Sequence, residues 1–209
     1  MFSVKGIARK YRGITGNFSV KTVFGNPIPS LFSVLEGIAR EEHSFSVNEC
    51  IFGWTASFEQ TWTRIIIRIR LNPDTGIPAA TIATLQNNWR QGIRNIWNNK
   101  WACGGLPTEL PSRLIFDVQW VNNNPHHTVR VRVGPAGSNM TTWDTADTGN
   151  VAAHEFGHML GLPDEYTDID CPARNPVNTG TVMDNNSNNV PNRMMQRIAN
   201  NIGSNVVPI

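Results

Sequence analysis

Val151-Ala-Ala-His154-Glu155-Phe-Gly-His158-Met-Leu-Gly161-Leu-Pro-Asp164-Glu165-Tyr166 is the stretch on which the reading of this chain turns. His154 and His158 are four residues apart. On a helix that spacing sends both imidazoles from one face, one turn above the other, so two ring nitrogens can reach one metal ion at ~2.0–2.1 Å. Glu155 follows the first histidine, where its carboxylate can approach a water on the metal without binding the metal itself. Zinc lowers the pKa of such a water towards ~7, and the glutamate can take its proton as it attacks a carbonyl. A catalytic zinc site wants three protein ligands and an open position, and the helix supplies only two. Gly161 permits a sharp reversal past the helix end, which brings Asp164 forward as the third ligand, with Glu165 as its competitor. Asp164 is preferred because ten residues after the first histidine is where the third ligand of such sites usually falls. Either would give zinc an acceptable oxygen donor.

The context supports the motif. Asp147 or Thr148 can cap a helix running from about Gly149 to Leu160, and Gly161 suits the left-handed position that ends it. The competing reading, two surface histidines and a surface charge, has to explain that coincidence in a chain with only 5 His.

Upstream, Arg64–Leu71 alternates arginine with aliphatic residues and reads as a strand, closed by the turn Asn72-Pro73-Asp74-Thr75-Gly76. From about Ala79 to Asn99, Ile82, Leu85, Trp89, Ile93 and Ile96 recur at spacings of three and four, the apolar stripe of a long helix that Cys103-Gly104-Gly105 breaks. Arg113–Val121 and Thr128–Val133 are two further strands around the turn Asn122–Pro125, and Asn139–Trp143 is a short edge strand suited to pairing with an extended substrate. A last helix is expected from about Pro191 to Ile202. The order strand, helix, three strands, helix, loop, helix describes an α+β domain: a twisted sheet, a long helix behind it and the motif helix beneath the cleft.

At this point a family resemblance carries further. Residues 154–164 resemble the metzincin pattern His-Glu-x-x-His-x-x-Gly-x-x-His/Asp, and Val151–Leu162 is similar to the same helix in matrixins. Asp164 departs from the usual third histidine, and Gly-Leu-Pro-Asp followed by a nearby Tyr resembles the small neutral proteases of the snapalysin type, in which the aspartate is a zinc ligand. The resemblance implies a metzincin-like zincin with a mostly parallel sheet, one catalytic Zn2+, and a methionine turn beneath it, for which Thr181-Val182-Met183-Asp184 is the matching segment. It covers about 15 residues at motif level and about 140 in architecture, and leaves residues 1–60 aside. The implied activity is endopeptidase cleavage of a protein or peptide substrate by metal-activated water, with Glu155 as general base. Tyr166 is a candidate to hydrogen-bond the oxyanion, although packing beside the third ligand is the simpler role.

The domains are therefore read as an N-terminal extension, 1–60, serving as pro-segment, extra strands or docking module, and a catalytic domain, 61–209. Within the extension Asn17–Phe24 looks strand-like and Leu31–Glu42 forms a short helix. The remaining residues add less. His126 and His127 read as an exposed turn pair, with a second metal or a substrate as the alternative; His43 has no partner at ligand spacing; Met194 and Met195 fall in the last helical pattern. The alternating arginines read as solvent faces of strands, with a substrate-facing role for some as the alternative. Cys50, Cys103 and Cys171 permit at most one intramolecular disulfide, so Cys171 is disulfide-bonded or simply buried, and no Cys-x-x-Cys pair suggests a zinc knuckle. No Asp or Asn spacing defines a calcium loop, so Ca2+ stays without support.

Composition excludes other classes. Hydrophobic residues at 40%, with 7 Trp and 9 Phe, are enough for a core, and a net charge of +2 is far from a nucleic-acid-binding excess. The first twelve residues form no signal peptide and no stretch approaches a membrane span, so the expectation is a soluble protein that is secreted, either with its leader removed or by another export route. Asn-rich surface stretches such as Asn122–Asn124 and Asn185–Asn189 suit an exported protein. Two alternatives share the scaffold: a catalytically silent binding module, for which Glu155 would be expendable, and a toxin or effector protease delivered to another cell.

Overall fold

A computed structural model describes residues 40–61, 64–103, 112–201 and 206–208. Its centre is β3 (Arg64–Pro73), in which Ile65, Ile67 and Ile69 face the core. Two parallel strands flank β3: β6 (Ile115–Trp120) pairs Arg64–Ile69, and β7 (His127–Arg132) pairs Ile69–Pro73. The Ile69 carbonyl accepts from Val121 N and the Arg68 carbonyl from His126 N. Successive carbonyls of a strand point to opposite edges, so β6 and β7 take opposite sides of β3. The short β8 (Thr142–Asp144) adds parallel to β7.

A hairpin, β1 (Glu41–Glu49) and β2 (Phe52–Gln60), joins antiparallel through Glu59 and Gln60 opposite Ile66 and Ile65. The sheet is thus mixed rather than mostly parallel, and the fold is α+β. The expected helix over Leu31–Glu42 is corrected where it can be seen: Glu41 and Glu42 begin β1, whose alternating Phe45 and Val47 turn inward. The rest of that helix and the strand-like Asn17–Phe24 lie outside the described residues. The described part of the N-terminal extension is a pair of strands in the main sheet.

Helix α1 (Ala79–Trp97) packs across the sheet with Leu85, Trp89, Ile93, Ile96 and Trp97 buried, close to the predicted stripe. Arg113–Val121 is broken rather than continuous: Leu114 turns into the core between β5 (Ser112–Arg113) and β6. β5 instead joins β4 (Trp101–Cys103) and β9 (Val206–Pro208) in a small antiparallel sheet. Asn139–Trp143 begins as a turn at Met140 and Thr141, closed by an isolated bridge between Asn139 and Thr142, so the edge strand is confined to β8. Helix α2 (Gly149–Met159) carries the motif, α3 (Val182–Asn185) is a single turn, and α4 (Asn192–Asn201) buries Met194, Met195 and Ile198. Among the described residues no helix is long and apolar enough to cross a membrane.

Candidate metal centre

Both ends of α2 are set by local chemistry. Thr148 is the N-cap, its hydroxyl accepting from Val151 N. At the other end Gly161 N donates to the His158 carbonyl and Leu162 N to that of Gly157, the paired bonds of a Schellman cap, with Gly161 at φ +90. That reversal turns Pro163-Asp164 back over the helix. Helix α1 fixes the other side of α2. Trp89 Nε1 donates to Asp147 O and Trp97 Nε1 to Ala153 O, each at 3.0 Å. Gly92 and Gly149 let the two backbones touch, since a Cβ on Gly92 would lie 2.3 Å from Gly149.

His154, His158 and Asp164 meet at one point, their ligand atoms all within 4.8 Å of one another. Asp164 Oδ1 lies 3.0 Å from His154 Nε2 and 3.2 Å from His158 Nε2. The outer nitrogen of each ring is committed: His154 Nδ1 donates to Val182 O and His158 Nδ1 to Leu162 O, both at 2.8 Å. Carbonyls can only accept, so both neutral rings carry their proton on Nδ1 and turn a bare Nε2 lone pair inward. Two imidazole lone pairs and a carboxylate oxygen facing one another are mutually repulsive without a cation between them. Tetrahedral zinc with ligand bonds of ~2.0–2.1 Å sets its donors ~3.3 Å apart, close to the two spacings between Asp164 and the histidines. The donor set therefore fits zinc, and ring orientation by carbonyls is the usual support for such ligands. With no ion between them the same contacts can be made only by imidazoles protonated at Nε2. Burial works to raise the Asp164 carboxyl, but hydrogen bonds of that kind outweigh it and hold the group well below the ordinary carboxylate range.

Glu155 projects beside this point. It is 4% exposed, and its Oε2 is buried with no hydrogen-bond partner. Burial raises its carboxyl above the ordinary value, against the pull of His158 and His154. Glu165 points elsewhere: its Oε2 accepts from Thr179 and Thr181 hydroxyls at 2.5 and 2.6 Å and from Arg193, tying down the loop rather than facing the histidines. Met183, fully buried in α3, lies under the motif helix against Gly157, where a Cβ would sit 2.3 Å from its sulfur. Tyr166 stacks near His154, ring centroids 6.5 Å apart, and its hydroxyl is pushed up to about 12 by burial and then by the Asp164 charge.

Residues 127–195 match the family model of the immune inhibitor A peptidase M6 catalytic domain. The match supports a metallopeptidase, a hydrolase whose substrate is a protein or peptide. It spans roughly a third of the 209 residues, from β7 into α4, and contains His154, Glu155, His158, Asp164 and Met183. No curated protein and no solved structure matches the chain.

Several neighbours of the site carry no signal in sequence. Trp54 of β2 donates to the His158 carbonyl at 2.8 Å and sets its ring edge-on to the imidazole, centroids 5.7 Å apart. Cys50, in the turn between β1 and β2, is disulfide-bonded to Cys171. That bond fastens the hairpin tip to the loop after Asp164 and decides the fate of Cys171. Arg174, three residues on, is buried beside Asp164.

The histidine pair at 126–127 is not an exposed turn. His126 Nδ1 accepts from Arg68 N and its Nε2 meets Glu42, while the buried His127 donates Nε2–H to Ser57 O. Burial lowers the His127 pKa to about 4. Among the described residues, the clustering of metal-binding side chains is at His154, His158 and Asp164. Of the alternating arginines, Arg68 pairs with Glu42 and Glu59, Arg130 with Asp74, and Arg132 with Asp144. His43 meets Gln60 at 2.9 Å.

Proposed function

We propose that the chain is a zinc-dependent endopeptidase in which His154, His158 and Asp164 hold the ion and Glu155 is the general base. The observation that carries this reading is the convergence of three lone-pair donors beside a buried carboxylate with an unpartnered oxygen. A bound zinc would acidify water towards pKa ~7 and polarise the scissile carbonyl. Glu155 takes the proton of the attacking water at its unpartnered oxygen. The same carboxyl then delivers that proton to the leaving amine. A binding module with no turnover would have no use for a buried, unsatisfied carboxylate, whose burial costs stability.

The finer assignment is a metzincin-like centre with aspartate in place of the third histidine. It is supported by the reversal at Gly161, by Asp164 facing the two rings, and by the packing of Met183 under Gly157 as a methionine turn. The Cys50–Cys171 disulfide supports work in an oxidising compartment, as expected of a secreted or delivered enzyme.

The test is digestion of an unfolded protein by wild type, Glu155→Gln and Asp164→Asn, with and without chelation and zinc re-addition. Wild type should cleave and lose activity on chelation. Glu155→Gln should keep its zinc and fold but lose about 10²- to 10⁴-fold in turnover. Cleavage by Glu155→Gln at the wild-type rate would falsify the assignment of the base.

A further inference from the structure

Arg174 is a charged side chain only 1% exposed, and it has gathered three carboxylates. Its Nη2 lies 3.0 Å from Glu49 Oε2, 3.5 Å from Asp168 Oδ2 and 3.7 Å from Asp164 Oδ2. Nε reaches Glu49 Oε2 at 3.2 Å, Nη1 donates to the Tyr166 carbonyl at 2.9 Å, and the Tyr166 ring covers the guanidinium at 4.9 Å. Asp164 is thus divided between two tasks. Its Oδ1 faces both histidines, and its Oδ2 faces Arg174.

We propose that Arg174 is the positioning residue of the metal site, holding Asp164 so that one oxygen points at the two imidazoles, and that Glu49 of the hairpin locks Arg174 in place. The inference rests on the reading of His154, His158 and Asp164 as the metal ligands. An aspartate side chain has two rotatable bonds, and within its own segment only the Tyr166 hydroxyl helps to fix the carboxylate plane. The guanidinium does so from behind, and its planar fork is in turn fixed by Glu49 and the Tyr166 carbonyl. Two effects compete. A positive charge near Asp164 repels a cation, whereas orientation of the ligand favours it. Glu49 and Asp168, at 3.0 and 3.5 Å, neutralise the guanidinium, so its repulsion at the metal is largely cancelled and orientation decides.

The experiment measures zinc affinity by chelator competition, and the visible spectrum of the cobalt-substituted full-length protein, for wild type, Asp164→Asn, Arg174→Lys and Glu49→Gln. Arg174→Lys keeps the charge and loses the fork. It should weaken zinc binding by about 10- to 100-fold, the usual range for a residue that orients a metal ligand. The intense absorption of four-coordinate cobalt should fall, because a released carboxylate changes the coordination; a purely stabilising role would lower the melting temperature of the chelated protein and leave the spectrum alone. Glu49→Gln should shift affinity and spectrum in the same direction by less. Unchanged or tighter binding in Arg174→Lys, with wild-type absorption, overturns the proposal. Should Arg174→Lys not fold, Glu49→Gln decides by the same criterion. Zinc binding by Asp164→Asn as tight as wild type would instead overturn the ligand assignment itself, independently of Arg174.

Discussion

The motif helix and the N-terminal hairpin meet at the same candidate metal centre but arrive there by different means. Between Thr148 and Asp164 everything is local: a cap, two histidines one turn apart, a glycine reversal and a carboxylate brought back over the helix. The hairpin reaches in from over a hundred residues upstream. Trp54 holds the His158 carbonyl, Glu49 holds Arg174, and Cys50 is bonded to Cys171 across a sequence separation of 121. The helix supplies the atoms that would do chemistry, and the hairpin supplies the walls that keep those atoms aimed. A site of this kind can be complete in its reactive groups and still depend on a remote element for its geometry.

The sharpest way to break that comparison is to cut the covalent link. Replacing Cys50 and Cys171 by Ser should cost about 5 kcal/mol of stability, the chain-entropy expectation for a closed loop of this size. Denaturant unfolding of wild type and double variant reads it directly. Equal midpoints would mean that the hairpin merely decorates the domain.

Acid should loosen the hairpin next. His127 donates to Ser57 of β2 and its pKa is lowered to about 4, below the ordinary 6.5, so the unfolded chain binds its proton first. Its contribution to stability is whole above about pH 6.5 and is lost as pH falls towards 4, up to about 3 kcal/mol. In a pH series of unfolding free energies, His127→Gln should flatten that segment. An unaltered slope would remove His127 from the account.

Two glycines with positive φ separate hairpin contact from backbone strain. At Gly161, φ +90, a Cβ would also lie 2.7 Å from the Phe45 ring of β1, whereas at Gly180, φ +67, it would meet nothing within 4 Å. Gly161→Ala should therefore cost about 2–3 kcal/mol, combining overpacking with left-handed strain, and Gly180→Ala about 1 kcal/mol from strain alone. If thermal melts show equal losses, Phe45 does not press on the helix end.

The smallest effect is expected at Trp54→Phe, which keeps the ring and removes the donor to His158 O. Loss of one hydrogen bond, about 1 kcal/mol, should lower kcat/KM several-fold with zinc still bound. A variant as active as wild type would show that the edge-on ring contact suffices.

Periodicity and turn chemistry made β3, α1, β7 and the two ends of α2 legible, because apolar stripes, a capping threonine and a left-handed glycine act through neighbours a few residues away. The strand expected over Arg113–Val121 failed at Leu114, which leaves the strand to fill the core. Glu41 and Glu42 were misread because charged residues at a strand start give no period. His126 and His127 were misread because their partners, Glu42, Arg68 and Ser57, are far away in sequence. The spacing within residues 148–164 was enough by itself to bring two histidines and a carboxylate to one point, since a helix and one sharp turn leave little conformational choice. Which oxygen of Asp164 faces them and what backs the site were decided only when Arg174, Glu49 and Trp54 came together, and which way Glu165 turns only when Thr179, Thr181 and Arg193 met it, because such pairings depend on packing between distant segments and have no local period to betray them.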